Sequence, residues 1–247
     1  MKHLLPLLLL PVLAIAQNDG IGWAGTRVKG QQIFLVGSNS STAGATSYQT
    51  GPYQPRENSL LLAHVVSSKA SAPDIPTGTG NALTWVQLRT TNYFSLASPT
   101  VRNTVFMAHS RSGATTNGFT ATFGGTATGC IITVVEITNC DTTGSPDATN
   151  ALVQIVHGGG NVNTNATCTF AAASGTRNLA IGFVGGSLNS QNNTAESGWT
   201  KLAGANYNTP ATEASVIYQY NTTDTSFLST NAAAMSWTVI GVEIKQR

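Results

Sequence analysis

Charge is what this chain has least of. Asp, Glu, Lys and Arg make up 9% of its 247 residues, against a usual ~25% in soluble domains. The basic residues stand singly, from Arg27 and Lys29 through Arg56, Lys69, Arg89, Arg102 and Arg111 to Arg177, Lys201, Lys245 and Arg247. No stripe of them is dense enough to release many counterions from a phosphate backbone, which argues against a nucleic-acid partner. Cysteine is scarce too, with three residues at spacings that match no zinc pattern. No window of a dozen residues carries a sustained helical stripe, and no long apolar run follows residue 16, so no membrane span is expected. Gly-x-Ser-x-Gly, His-x-His and His-Glu-x-x-His are absent, which removes the nucleophile elbow and the common zinc-hydrolase spacing. The run Gly158-Gly159-Gly160 has no Lys-Ser/Thr after it and reads as a flexible turn, not a phosphate loop.

What is present begins with MKHLLPLLLLPVLAIA. Lys2, the apolar run from Leu4 to Leu13 and the small-residue box Ala14-Ile15-Ala16 have the layout of an export signal. The run is shorter than the about 20 residues needed to span a bilayer. The expectation is a protein working outside the cytoplasm, with 1–16 as signal peptide or as a retained apolar arm. Residues 17–31, with Trp23, then form an N-terminal arm. Outside the cell an odd number of cysteines leaves at least one unpaired, or pairs it between chains. Cys140 and Cys168 are the disulfide candidates; the reading we favour takes Cys130, Cys140 and Cys168 as small buried hydrophobes.

The body of the chain is strand and turn. Short, β-branched apolar runs alternate with Gly, Pro, Asn and Ser clusters. Strands are expected at 32–37, 47–53, 59–67, 83–90, 104–110, 118–123, 130–138, 151–157, 166–171, 178–184, 198–202, 214–220, 232–236 and 237–245. In 130–138, Ile131, Thr133, Val135 and Ile137 share one face and Ile132, Val134 and Glu136 the other. The second half restates the first. Asn58-Ser-Leu-Leu-Leu-Ala aligns with Asn178-Leu-Ala-Ile-Gly-Phe, and Trp85-Val-Gln-Leu88 with Trp199-Thr-Lys-Leu202. Val105-Phe-Met-Ala108 aligns with Val216-Ile-Tyr-Gln219, and Val134-Val-Glu-Ile137 with Gly241-Val-Glu-Ile244. The fold class is all-β, an antiparallel sandwich built from two similar halves. It comprises residues 32–247 as a single body, with pseudo-repeats at 58–137 and 178–244 packed face to face. Neither half shows an obvious core of its own. Two long loops, 68–81 and 185–197, occupy equivalent places after the opening strands.

The ordered set NSLLLAHV, LTWVQL, TVFMAHS, VVEITNCD, NLAIGFV, GWTKL and GVEI resembles a broad group of β-sandwich proteins found in bacteriophage virions and among bacterial secreted proteins. That resemblance implies a jelly-roll-like sandwich with a surface, decoration or adhesive role, and it carries no catalytic residue. The export signal shifts the weight toward a secreted protein, with a phage virion surface as the alternative.

Candidate sites follow from residue types. Glu136 and Glu243 at equivalent strand ends invite a glycosidase pair; repeat symmetry explains them without chemistry. His64, His109 and His157 have no ligand spacing and read as strand histidines. Asp141, Asp147 and Asn150 form an oxygen-rich loop, the calcium candidate against an ordinary Asp/Gly/Pro turn. Trp23, Tyr93, Phe94 and Tyr207, beside loops, are the candidate glycan contacts, because exposed aromatic faces stack on sugars. Asn39, Asn165, Asn192 and Asn221 head sequon triplets that a composition this rich in Asn and Thr generates by itself. The expected function is non-enzymatic: self-association, decoration or adhesion, with other copies of the chain or a surface assembly as partners and no cofactor. A carbohydrate-binding module is the alternative, and a polysaccharide hydrolase the second.

Overall fold

The computed structural model describes residues 30–93, 100–144, 148–171, 177–189, 193–220 and 225–247, with 92, 93 and 100 as backbone only. These residues form fourteen strands and one 3-10 turn. The strands are β1 (Gln32–Ser41), β2 (Ala45–Gln49), β3 (Ser59–Lys69), β4 (Thr77–Thr79), β5 (Val86–Tyr93), β6 (Thr100–Ser110), β7 (Thr120–Ala127) and β8 (Gly129–Thr138). After the turn Thr149–Ala151 come β9 (Leu152–Thr169), β10 (Leu179–Gly186), β11 (Thr194–Ala195), β12 (Thr200–Asn208), β13 (Ala211–Tyr220) and β14 (Ser226–Ile244).

Two large antiparallel sheets have the same strand order. The first runs β1-β8-β3-β6-β5 and the second β9-β14-β10-β13-β12. Over the outer face of the first lies the small sheet β2-β7-β4. The second half builds the counterpart from fewer, longer strands. The end of β9 pairs with the start of β14 (Cys168 opposite Phe227), and β11 adds on the other side (Thr194 opposite Thr230). Each half thus carries the β1-β8-β3-β6 and β2-β7-β4 arrangement of a jelly roll, with β5 and β12 attached to the large sheets.

The register makes the duplication residue by residue. Leu62 lies opposite Val135 and Met107, and Val86 opposite Met107. Ile181 lies opposite Val242 and Tyr218, and Thr200 opposite Tyr218. Both tryptophan strands break register at the same place, between Gln87 and Arg89 and between Lys201 and Ala203. Each tryptophan meets a phenylalanine edge-on, Trp85 with Phe119 at 4.6 Å and Trp199 with Phe227 at 5.0 Å. One alignment is corrected. Leu61 and Ala180 face Glu136 and Glu243, so Ser59, not Asn58, is the counterpart of Asn178.

Three layers of apolar packing follow from the period-2 alternation of strands buried on both faces. Leu60, Leu62, Met107, Ile181, Phe183 and Ile240 fill the space between the two large sheets. Leu61, Val65, Phe106, Phe119 and Ile132 fill the first jelly roll, and Ala180, Trp199, Phe227, Trp237 and Val239 the second. Each half therefore has its own core, contrary to the sequence reading. The uninterrupted run Leu-Leu-Leu-Ala-His-Val-Val in β3 feeds two cores at once, whereas a strand with one wet face would alternate. The strand β1 faces β12 and β5 faces β9 across the shared core. Exchanging the halves maps one contact onto the other, as a pseudo-twofold requires. Among the described residues no helix is long and apolar enough to cross a membrane.

The glycine run is not a turn. Gly158, Gly159 and Gly160 lie inside β9. A Cβ at Gly158 would stand 1.9 Å from Thr167 O, and one at Gly160 would stand 2.9 Å from the Trp237 ring. Glycine lets the long strand double back over the second jelly roll at a distance that no side chain permits.

Candidate functional site

The two glutamates do not converge. Glu136 shares its strand face with Val134 and Ile132 of the first interior; Glu243 has the parity of Val239 in the second. Both large sheets stand between them, and packed sheets are themselves about 10 Å apart. Each carboxylate is bound to its own half. Glu136 accepts from Arg56 N (2.5 Å), Arg56 Nη1 (2.9 Å) and Ser59 Oγ (2.7 Å). Glu243 accepts from Asn178 Nδ2 (2.8 Å) and Gln154 Nε2 (2.5 Å). Ser59 and Asn178 are the counterparts named above, so the same clamp closes the last strand of each half onto the start of its opening strand.

The oxygen-rich loop is self-satisfied where it is described. Asp141 Oδ1 accepts from Thr143 N and Oγ1 (3.1 and 2.5 Å), and Oδ2 faces Lys245 Nζ at 3.0 Å. The Thr143 hydroxyl first and Lys245 second hold the Asp141 carboxyl below its ordinary range. Asn150 Nδ2 donates to Thr143 Oγ1 at 3.0 Å, and Asp147 lies outside the described residues. An ammonium group occupies the side of Asp141 that a cation would need. Among the described residues no three His, Cys, Asp or Glu side chains gather as a metal group.

The candidate disulfide does not form: Cys130, Cys140 and Cys168 are free and buried. Cys140 belongs to the shared core and Cys168 to the interior of the second jelly roll, so the second large sheet separates them. Burial raises the Cys140 thiol to about 11 and that of Cys168 to about 12.

Of the proposed glycan contacts, Tyr207 is corrected. It is 8% exposed, packs on Val66, Val101 and Ile131, and its hydroxyl shares a 2.7 Å bond with Ser68 Oγ. It has no free face for a sugar. Trp23 and Phe94 lie outside the described residues, as does the side chain of Tyr93, whose backbone ends β5. His64 is fully buried against Phe183, with ring centroids 5.3 Å apart. His157 is exposed on β9, where its Nδ1 stands 2.7 Å from Arg89 Nη2.

A feature the sequence did not single out is a hollow of about 230 Å³ at one end of the first jelly roll. Its walls are the segment before β5, with Ala82, Leu83 and Thr84, and the end of β6 with the turn beyond it, with His109, Arg111 and Ser112. Gly80, Asn81 and Ala82 all have positive φ (137°, 56° and 54°), a strained run for the two non-glycine residues. Asn81 holds it. It is fully buried, and its Nδ2 lies 3.0, 3.1 and 2.7 Å from the carbonyls of Tyr53, Thr115 and Asn117. Thr115 N donates back to Asn81 O at 2.9 Å. The two walls are thus tied together by backbone and by one amide. Arg111 Nε donates to His109 Nδ1 at 3.4 Å, and burial first and Arg111 second push His109 below the ordinary imidazole value. The only sequence signal for this rim is the turn-forming pair Gly80-Asn81.

No protein-family model, curated protein or solved structure matches this chain. Function has to be argued from the arrangement itself.

Proposed function

We propose that this chain is a non-enzymatic contact protein, acting outside the cytoplasm as a secreted or virion-surface β-sandwich by self-association, decoration or adhesion. The observation that carries the reading is how the ionisable groups are used. Glu136 and Glu243, the two acids best placed by sequence for chemistry, are clamps in equivalent positions. Asp141 is tied to its own turn and to Lys245. What remains for function is a rigid body of two jelly rolls locked through a common core, with loops at both ends and edge strands at its rims. Such a body suits interface burial, because edge strands accept a neighbour and fixed loops present contacts at constant spacing.

The test is light scattering on the full chain and on versions beginning at Gln17 and at Lys29, with binding to the host surface measured beside it. Association that depends on 17–28 supports the arm as a docking element. Monomers in all versions, with no surface or assembly bound, overturn the reading. A carbohydrate-contact form of the same role is supported by one observation, the polar hollow beside His109 and Arg111.

A further inference from the structure

We infer that Lys201 and Asn193 join in an intramolecular isopeptide bond, with Glu213 as the proton acceptor of the reaction. The three residues meet inside the second jelly roll, beside the start of β11. Glu213 and Ser215 share their strand face with Ile217 of that interior. In the register Ser215 stands opposite Gly204, and Glu213 opposite Asn206 and Gly186. The pseudo-repeat does not ask for this group: by the same register the first half has Gln87 in the place of Lys201 and Arg102 in that of Glu213.

Lys201 Nζ donates to Asn193 Oδ1 at 2.5 Å and to Asn193 O at 3.4 Å. Because a C=O bond is about 1.23 Å long, Nζ lies within about 3.7 Å of the amide carbon Cγ, close to the ~3–3.5 Å of a near-attack geometry. Asn193 Nδ2 donates to Ser215 Oγ, which fixes the amide with its carbonyl toward the amine. The Lys201 stem lies over Gly204, where an added Cβ would stand 2.9 Å from Cε and 3.2 Å from Nζ. Lys201 has a further contact besides; the reaction uses the approach of Nζ to Cγ and does not need the amine otherwise bare. Glu213 is almost fully buried, and neither carboxylate oxygen is hydrogen-bonded. Its Cγ and Met235 Sδ close over Gly186, where a Cβ would stand 3.0 and 2.4 Å from them. Burial lowers the Lys201 ammonium and raises Glu213 to about 7, while each charge opposes the shift of the other. Burial thus favours the neutral pair, and the neutral amine is the nucleophile. Glu213 faces Lys201 without a hydrogen bond, and such contacts tighten as a reaction proceeds. The Nζ lone pair forms the bond to Cγ, and the Cγ–Nδ2 bond breaks with its electrons on nitrogen. Of the three ammonium hydrogens one stays on the new amide, one goes to Nδ2, which leaves as ammonia, and one goes to Glu213. The product closes a ring over residues 193–201 and ties the start of β11 to β12, a constraint on the unfolded chain of the kind a short disulfide loop imposes.

The experiment is peptide mapping by mass spectrometry on the full chain, unfolded and then digested with trypsin. Between Arg177 and Lys245 the one trypsin site is Lys201, and acylation of its Nζ removes that site. The expected product is a single peptide 178–245, lighter than its sequence by one ammonia. Further digestion after glutamate opens the ring at Glu196 and should leave 178–196 and 197–213 joined. Lys201→Arg and Glu213→Gln, each folded by circular dichroism, should lose no ammonia and give no joined pieces. Cleavage after Lys201 at full mass overturns the proposal. So does loss of ammonia with Lys201 still cleaved, which is a succinimide at Asn193, and so do pieces that separate once the ring is opened. A joined product in Glu213→Gln overturns the role given to Glu213. The parent digest decides the bond by itself, whether or not a variant folds.

Discussion

His64 is a residue whose neighbours, not its own chemistry, decide its behaviour. It lies in the middle of β3, fully buried, with Phe183 of the other sheet against its ring and neither ring nitrogen hydrogen-bonded. Burial drives its pKa down to about 3 from the ordinary 6.5, with Asn103 a smaller pull upward. The unfolded chain therefore binds a proton that the folded chain refuses. The contribution of His64 to stability is full above pH 6.5 and declines as pH falls toward about 3, by about 2 kcal/mol at pH 5. Glu213 works in the other direction. It is 3% exposed, with neither carboxylate oxygen paired, and burial raises it to about 7 while Lys201 pulls it down. Its folded pKa is above the unfolded one, so its contribution is present at low pH and is lost as pH rises from about 4.5 through about 7. Urea unfolding at pH 5, 6.5 and 8 separates the two. His64→Leu should flatten the acid side of the curve, and Glu213→Gln should raise stability at pH 8 by about 2–3 kcal/mol relative to its effect at pH 5. Identical pH curves for parent and variants would contradict the burial argument. The three thiols give a related test: none should react with a thiol reagent in the native protein, and all three should react in denaturant. The sequence placed His64 and Cys168 in strands. It could not show that a second sheet would cover each strand's other face, which is what shifts these groups.

Elements were legible in proportion to their length. The long apolar strands β3, β8, β10 and β13 stand where alternation and punctuation put them. The strands β4 and β11, three and two residues long, carry no periodicity and fall inside the loops expected at 68–81 and 185–197. The sequence divides the long β14 into 232–236 and 237–245 and leaves 226–231 outside any strand; the structure joins them, with the register breaking between Thr230 and Trp237 where the strand leaves one sheet face for the other. The one-residue error in aligning β3 with β10 arose because Asn58 and Asn178 look alike, while the geometry matches by role. Ser59 Oγ and Asn178 Nδ2 each bind the glutamate of the closing strand. If that clamp holds the halves closed, Glu136→Gln and Glu243→Gln should each lower stability by about 1.5–3 kcal/mol, a charged hydrogen bond's worth. Chemical denaturation measures this, and a loss from one variant only would break the equivalence. Packing inside the elements gives a sharper contrast. A Cβ on Gly182 would stand 2.4 Å from the Phe227 ring, the ring that Trp199 meets edge-on, whereas one on Gly51 meets nothing within 4 Å. Gly182→Ala should cost about 1–3 kcal/mol through overpacking, and Gly51→Ala should stay within about 0.5 kcal/mol of the parent.

At the scale of the whole molecule the chain is a dimer written in one sequence. Two jelly rolls of the same topology meet through their large sheets, and the exchange β1–β12 for β9–β5 is what a twofold axis demands of a self-complementary interface. The repeat was visible in four fragments of sequence, the Trp strands and the Val-Glu-Ile strands above all. Its depth was not, because the counterparts share their place in the register more than residue type: Met107 answers to Tyr218, and Val86 to Thr200. The interface consists of residues that have no other cover. Leu60, Leu62 and Met107 on one side and Ile181, Phe183 and Ile240 on the other are fully or almost fully buried. Exposing any of the larger ones costs about 1.5–3 kcal/mol. Residues 30–144 and 148–247, produced as separate chains, retain their own interiors but each bares this face. Mixed, they should form a one-to-one complex by light scattering, and 30–144 alone should pair with itself through the same surface. Phe183→Asp in the second chain places a charge opposite His64 and should abolish the mixed complex while leaving the strand signal in circular dichroism intact. If 30–144 instead remains a soluble monomer that ignores its counterpart, the shared core is dispensable, and the two halves are independent bodies that merely touch.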